Sequence, residues 1–565
     1  MIVSAVSLWK KLNLTTPLGA SEWSIEEKGG VRYSNVTYSG HKVADGSVRI
    51  FARFARPIGV GKKPAVLLLP DAGQGMDEEL FQYFIDKGYA VLMPDYCGKL
   101  LGDTDSDFRT TYPISLDYGN LMRARGLEAE EHFDAEKNTW IEWLYVALFS
   151  VEYLSSREDI GDVGVVGIRM GGVLAWQTML SPKVKCGVPI NAVGWRSFSS
   201  IAKFGDNVAH NLSDDTHRYM AAVEAQSYAP YVKCPVLMLC ALHDTSFDCD
   251  RAYDTYSRIA NLDGCAMAYS TDSGACIGPN GLTDMDLFLE KNLKGREIYV
   301  PDTLNVVLQE QEGGLEVRVE CDKEGILEEA GIFYAEADVR TKCAYRDWRM
   351  VHKVSGKTVK NGEFSYTVKP FAGAAAAFVF AYAKYINGFR VMSKITAKRL
   401  SNPNPAAVKG RALFTGKQMD TFSVAEYKDY SIANVFLERE AVPKVVTGYG
   451  DIQGAFSVGG IKTYKIGSPM YIPDENALLE FDAWTPSNAT ITVAVEVGDV
   501  ERQNEKYVCS TFVTGGGKWK RIILKPSDFK GENSGMPLKN FFDGKALTFD
   551  SEEEVEFAIT NILWL

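Results

Sequence analysis

The sequence predicts three domains in series: an α/β domain over 1–300 with a mostly parallel sheet and helices on both faces, then two all-β sandwiches over 301–402 and 403–565. Three observations carry this. From about 60 to 295, short apolar runs alternate with helical stretches. After Pro301 helical periodicity stops and alternation of period two replaces it. Residues 401–407 (SNPNPAA) then part the two β regions with turn-forming residues.

In the first region, 64–70 (PAVLLLP) reads as a buried strand, 78–87 as a helix stopped by Gly88, and 89–94 as the next strand. Thr139 opens a longer helix. Thr139 and Glu142 have capping-box spacing, and Trp140, Trp143, Leu144, Ala147, Leu148, Val151 and Leu154 fall on one face. Further strands are 163–166, 186–190, 235–240 and 265–269. Strands that are apolar throughout belong to a parallel sheet covered on both sides. In the second region, strands at 304–309, 315–320, 331–334, 364–368 and 376–382 within about 100 residues suggest an immunoglobulin-like sandwich that spaces the outer domains. In the third, Leu479, Phe481 and Ala483 alternate, as do Ile491, Val493, Val495 and Val497, and Val555, Phe557 and Ile559, implying a larger sandwich.

Composition narrows function. Of 565 residues, 46% are apolar, and 28 Phe, 27 Tyr and 10 Trp exclude a disordered chain. No run approaches the roughly 18–20 apolar residues of a membrane helix. With 61 Lys+Arg against 73 Asp+Glu, the net charge of −12 argues against nucleic acid or an anionic membrane as partner. Ten scattered Cys without a Cys-x-x-Cys pair read as reduced thiols, not a disulfide frame or metal site. The short apolar piece 2–9 is followed, not preceded, by Lys10 and Lys11, so no secretory signal is read and a cytoplasmic location is expected. The aspartates of 103–107 lack the glycine and distal glutamate of a calcium loop, and no cofactor or metal is expected. The polar 100–137 stretch, acidic at Glu128, Glu130 and Glu131, reads as a lid or subunit contact, compatible with a homo-oligomer.

Chemistry in a parallel α/β sheet sits beyond the carboxyl ends of the strands. Strand 163–166 runs into Gly167-Ile168-Arg169-Met170-Gly171-Gly172 and then a helix, matching the strand–turn–helix setting of G-x-S-x-G with Arg169 at the nucleophile position. This elbow, with Leu67-Leu68-Leu69-Pro70-Asp71-Ala72-Gly73, Met93-Pro94-Asp95-Tyr96-Cys97-Gly98 and Leu242-His243-Asp244, resembles the α/β-hydrolase superfamily, in its dienelactone hydrolase and acetyl xylan esterase branch. The resemblance implies a Ser–acid–His triad and two backbone oxyanion donors. Asp244 stands at the acid position. Cys276 or Ala275 stands where His is implied, with no His between 244 and 351. The donors implied are Met170 and Ala72, and Pro70-Asp71 replaces a His-Gly start.

An arginine offers only donors and cannot attack an acyl carbon. The expectation is therefore a degenerate hydrolase without ordinary serine-esterase activity. Arg169 would pair with Asp244 or bind an anion, and Asp71, Arg169 and His243 are candidate ligand-binding residues for a carbohydrate or a small ester or carboxylate. Two alternatives stand: an active ester hydrolase using Cys276 with His243 as base, and a structural assembly subunit. His210 and His217 are candidates to cap the cleft. The last domain resembles galactose-binding-like, carbohydrate-binding jelly rolls at Leu479-Glu480-Phe481-Asp482, Gly517-Lys518-Trp519, Asp528-Phe529 and the closing 559–564. Trp484, Trp519 and Tyr507 are its candidate sugar platforms, and core is the favoured reading of Trp519 and Trp564.

Overall fold

Long apolar runs near the N-terminal third assemble into one mixed sheet in the computed structural model. The structure describes residues 4–72, 78–102, 108–116, 138–199, 201–205, 213–271, 274, 276–371, 373–401, 409–416, 422–424, 444–458, 460–498, 505–551 and 555–565. The aspartate run at 103–107, the acidic stretch at 128–131, Gly73, His210, Ala275 and the linker at 402–407 lie outside these residues.

The sheet's main strands are β1 (Ser21–Lys28), β2 (Val31–Val43), β3 (Gly46–Pro57), β4 (Lys63–Leu69), β5 (Ala90–Pro94), β6 (Ile160–Ile168), β7 (Val184–Ile190), β8 (Leu237–Ala241) and β9 (Ala266–Ser270). Their order is β1-β2-β3-β5-β4-β6-β7-β8-β9. β1, β2, β3 and β5 pair antiparallel, and from β5 to β9 every pairing is parallel. β4 through β9 are buried and apolar, as strands covered on both faces must be. The chain moves to opposite sides of β4 when it forms β5 and β6. Such a reversal leaves a crevice at the carboxyl ends of β4 and β6.

Helix Thr139–Ser156 corrects one local expectation. Its N-cap is Asn138, whose side-chain oxygen accepts the Trp140 N–H at 3.0 Å. Glu142 does not close a capping box; it is buried and pairs with His41 Nδ1 at 2.9 Å. Nor is one face solvated: every residue from Thr139 to Val151 is buried. The N-terminal segment helps cover the helix, with the Asn13 N–H donating to the Tyr145 hydroxyl at 3.2 Å and Ala5 and Leu8 joining the core. Among the described residues, no helix is long and apolar enough to cross a membrane.

All-β sheets follow. Asn305–Gln311, Gly314–Glu320 and Glu363–Val368 form a three-stranded antiparallel sheet, and Leu327–Ala337 and Ala376–Tyr385 centre a five-stranded one. Two six-stranded sheets end the chain, and Phe481 of one meets Phe549 of the other at 5.0 Å between ring centroids. The last strand is Phe557–Trp564, so Val555 precedes it. The C-terminal sheets keep their own core, whereas the middle sheets share one continuous core with the first domain.

Ion pairs pin the middle sheets to the α/β domain. Arg346, 1% exposed, holds Asp250 through two hydrogen bonds of 2.5 and 2.7 Å and lies over the Phe378 ring at 3.6 Å. Asp284 on helix Gly278–Lys294 accepts from Arg390 Nη2 at 3.0 Å and from its backbone N–H at 2.9 Å. Removing one partner of such a pair strands a buried charge, which costs about 3–5 kcal/mol. Arg346→Met is expected to lose that much in a urea titration, and Arg346→Met with Asp250→Leu to recover most of it.

Candidate active-site cleft

The β6–helix turn places Arg169 over the crevice. Ile168 ends β6, and the Arg169 N–H donates to Ile190 O on β7 at 2.8 Å. Arg169 takes φ 49°, ψ −108°, and helix Met170–Thr178 starts with Val173 N–H donating back to Arg169 O at 3.0 Å. A non-glycine residue in this region is strained by about 1–3 kcal/mol. The turn closes because its neighbours lack side chains: a Cβ on Gly171 would lie 2.0 Å from Leu69 O, and one on Gly167 2.1 Å from Gly171 O. The helix therefore packs directly on the end of β4.

The loop after β4 brings Asp71 to the same point. Asp71 Oδ1 accepts the Ala72 N–H at 2.9 Å and the Met170 N–H at 3.3 Å. These are the two backbone donors that an oxyanion site would use, and here both face a side-chain carboxylate. The Tyr96 hydroxyl holds the loop by donating to Pro70 O at 2.5 Å. Burial pushes the Asp71 carboxyl up to about 6, against the opposing pull of Arg169 and the two N–H groups; Asp244 adds a smaller push upward.

Asp244 follows β8 and is 1% exposed. Arg169 Nε donates to its Oδ2 at 3.0 Å, and the Ser246 N–H to its Oδ1 at 2.8 Å. Arg169 Nη1 also lies 3.8 Å from Asp71 Oδ2. One guanidinium thus sits between two carboxylates from two strand ends. It has no lone pair to attack a carbonyl, and an ester oxygen entering the backbone donors would have to displace Asp71.

His243 is placed elsewhere than beside a nucleophile. Its ring is 5% exposed and stacks on Tyr464 at 3.7 Å and 3°, and its Nδ1 is 2.8 Å from Ala344 O. One imidazole therefore joins all three parts of the chain. Burial, opposed by the Ala344 contact and helped by nearby Lys462, pushes its pKa down to about 3, so it is neutral at pH 7. Cys276 is half-buried on the loop between β9 and helix Gly278–Lys294; Gly274 of that loop, not Cys276, lines the cavity described next. His217 is exposed on helix Asp214–Ala222.

The cleft is roofed. A cavity of about 270 Å³ lies over Arg169, His243 and Asp244, with Tyr345 at one side. Its far wall comes from the last domain: Lys462, Glu496, Glu505, Lys506 and Asn533. Lys462 and Glu496 are ion-paired from the two strands, Ile461–Thr463 and Ala489–Val497, that flank Gly544–Ser551, and Lys506 reaches Glu532 at 3.3 Å. Nothing in the spacing of residues 462–533 announces this role, because the contact is made across more than 200 residues of chain. Neither Asp71 nor Ala72 reaches the cavity lining. Trp484 and Tyr507 lie on the C-terminal sheets and Trp519 just before strand Lys520–Leu524, and none of them lines the cavity; Trp519 packs near Gly448 and Gly454, and Trp564 is core. Among the described residues, no cluster of three or more His, Cys, Asp or Glu could hold a metal ion.

Residues 50–263 match the family model described as dienelactone hydrolase family. Solved structures resembling the chain include an acetyl xylan esterase from Paenibacillus sp. R4, at 18% identity and TM-score 0.41 over 51% of this chain and 92% of that one. Acetyl xylan esterase 1 from Thermoanaerobacterium sp. JW/SL YS485 aligns at 16% identity and TM-score 0.41, over 51% and 90%. The acylaminoacyl peptidase of Pyrococcus horikoshii aligns at 17% and TM-score 0.34, over 52% and 45%. No curated protein shows significant similarity to the chain.

A carboxyl whose folded pKa is raised binds its proton more tightly in the native state than in the unfolded one. Asp71 therefore penalises folding above pH 6, and the penalty is relieved as pH falls from about 6 toward the ordinary value of 3.8. Asp71→Asn keeps an oxygen for the two N–H groups and removes the titration. Relative to wild type, it is expected to gain on the order of 1–2 kcal/mol more at pH 7.5 than at pH 5, read from paired denaturant titrations.

Proposed function

We propose that the domain matching the dienelactone hydrolase family is an esterase-like scaffold that does not hydrolyse esters, and that its cleft binds a small glycan-derived or anionic ligand instead. The observation that supports this most directly is the Asp71–Arg169–Asp244 cluster. The elbow presents a guanidinium, the acid partner is spent on that guanidinium, and the oxyanion donors are held by Asp71. Loss of a triad Ser or His typically lowers turnover on the order of a million-fold, and here both positions carry other residues. The roofed polar cavity supports ligand binding in place of turnover, since it is partly closed and lined by groups that can orient a polar molecule.

Hydrolysis of p-nitrophenyl acetate and butyrate tests the reading. Wild type is expected to match buffer, and Arg169→Ser alone to stay there, because Asp71 still holds the donors and no imidazole has been supplied. Wild-type turnover would overturn the proposal, and its loss in Cys276→Ala would assign the nucleophile to Cys276.

A further inference from the structure

From the charge balance of the three-domain cavity we infer its ligand class: a small, electrically neutral, polyhydroxylated molecule of about monosaccharide size. This rests on the binding role proposed above and decides between its glycan-derived and anionic forms.

Charge comes first. The lining carries three cations, Arg169, Lys462 and Lys506, and three carboxylates, Asp244, Glu496 and Glu505. His243 adds no charge, since burial holds it neutral. Directly behind Arg169 stands Asp71, a further carboxyl. The surroundings are thus neutral or slightly negative, never positive. An anion at Arg169 or Lys462 would have to take that cation from Asp244 or Glu496, and the third cation, the exposed Lys506, is already engaged with Glu532 at 3.3 Å. Stranding the buried Asp244 carboxylate in that way is unfavourable. A cation meets the same obstacle at Asp244 and at Glu496.

Hydroxyls meet neither. Each O–H donates and accepts at once, so one hydroxyl can bridge the cation and carboxylate of a pair while leaving it intact. Several hydroxyls at fixed angles suit a lining of alternating signs. Among the described residues, none of those lining the cavity has an aliphatic side chain. An acyl chain would therefore gain little on entry. The ring of Tyr345 and the face of His243 provide limited flat surface, and the Asn533 amide adds a donor–acceptor pair at the rim. The volume of about 270 Å³ falls just below the range of drug-sized pockets, which fits one small ring. Because the first domain supplies two of the six charges and the last domain four, the ligand also ties them together.

Isothermal titration of the full-length protein tests this with one skeleton in three charge states: glucose, glucuronate and glucosamine, with xylose and sorbitol as further neutral probes. At least one neutral probe is expected to bind, with glucuronate and glucosamine at least about tenfold weaker than the best of them. Glu505→Gln, which leaves the lining with one excess positive charge, is expected to shift the preference toward glucuronate by about tenfold. Asn533→Leu, at the rim, is expected to weaken the neutral probe. Tighter binding of glucuronate by wild type overturns the inference. So does binding by none of the three neutral probes, or neutral-probe binding unchanged in both variants. Esterase turnover with neutral-sugar binding intact would instead defeat only the earlier proposal, so the two failures are separable.

Discussion

A carboxylate that is 1% exposed at the end of a parallel sheet must be neutralised from nearby, and the arrangement around Asp244 follows from that demand. The cation comes from Arg169, on the neighbouring side of the crevice. To deliver it, the backbone accepts a left-handed φ of 49° at a non-glycine residue. The strain of about 1–3 kcal/mol is smaller than the roughly 3–5 kcal/mol lost when a buried pair is broken, so the pair wins. The glycines at 167 and 171 let the helix approach closely enough for the guanidinium to reach. Asp71 then fills the remaining donors. Charge closure, rather than substrate geometry, is what this strand-end cluster satisfies.

The roof depends on the same economy of buried polarity. Asp250 and Asp284 lie in the α/β domain, and their cations, Arg346 and Arg390, come from the middle sheets. His243 meets a middle-domain carbonyl and a C-terminal aromatic ring at one point. Its neutrality is part of the fit, because an imidazolium flattened against Tyr464 beside Lys462 would be repelled. Each junction thus leaves buried polar groups satisfied only when the domains are together. The cavity is the space that remains where the three surfaces do not quite meet.

Much of the fold was legible from sequence, for identifiable reasons. Strands such as Lys63–Leu69, from Ala65 onward, and Leu237–Ala241 announce themselves because both faces are buried and the residues are apolar. β1 was not read because its pattern is mostly exposed, with charged residues on both faces and a bulge between Trp23 and Glu26. Helix Thr139–Ser156 was readable as a helix but not as a fully enclosed one, since its cover comes from residues more than 120 positions earlier. At the cleft, the Gly167-x-Arg169-x-Gly171 spacing marks the turn and Leu242-His243-Asp244 marks the strand end. That Asp71 would turn into the backbone donors, or that Lys462 and Glu505 would face Arg169, is fixed by three-dimensional packing alone. Short-range patterns carry no trace of it.

The interlocking of Asp71, Arg169 and Asp244 also bears on how such a chain can change over generations. A serine at 169 would recreate the nucleophile's position on a ready-made turn. In the same step it would strand Asp244 without its cation, while Asp71 went on occupying the donors and the stretch 245–351 still offered no histidine. Replacing Arg169 alone lowers stability before any combination yields turnover. On the proposed reading, descendants of this sequence therefore face a valley, not a slope, between the present site and an acyl-transferring one. The mutual pairing works as a ratchet, leaving the roofed cavity, and not the elbow, as the part of the molecule on which selection can act in small steps.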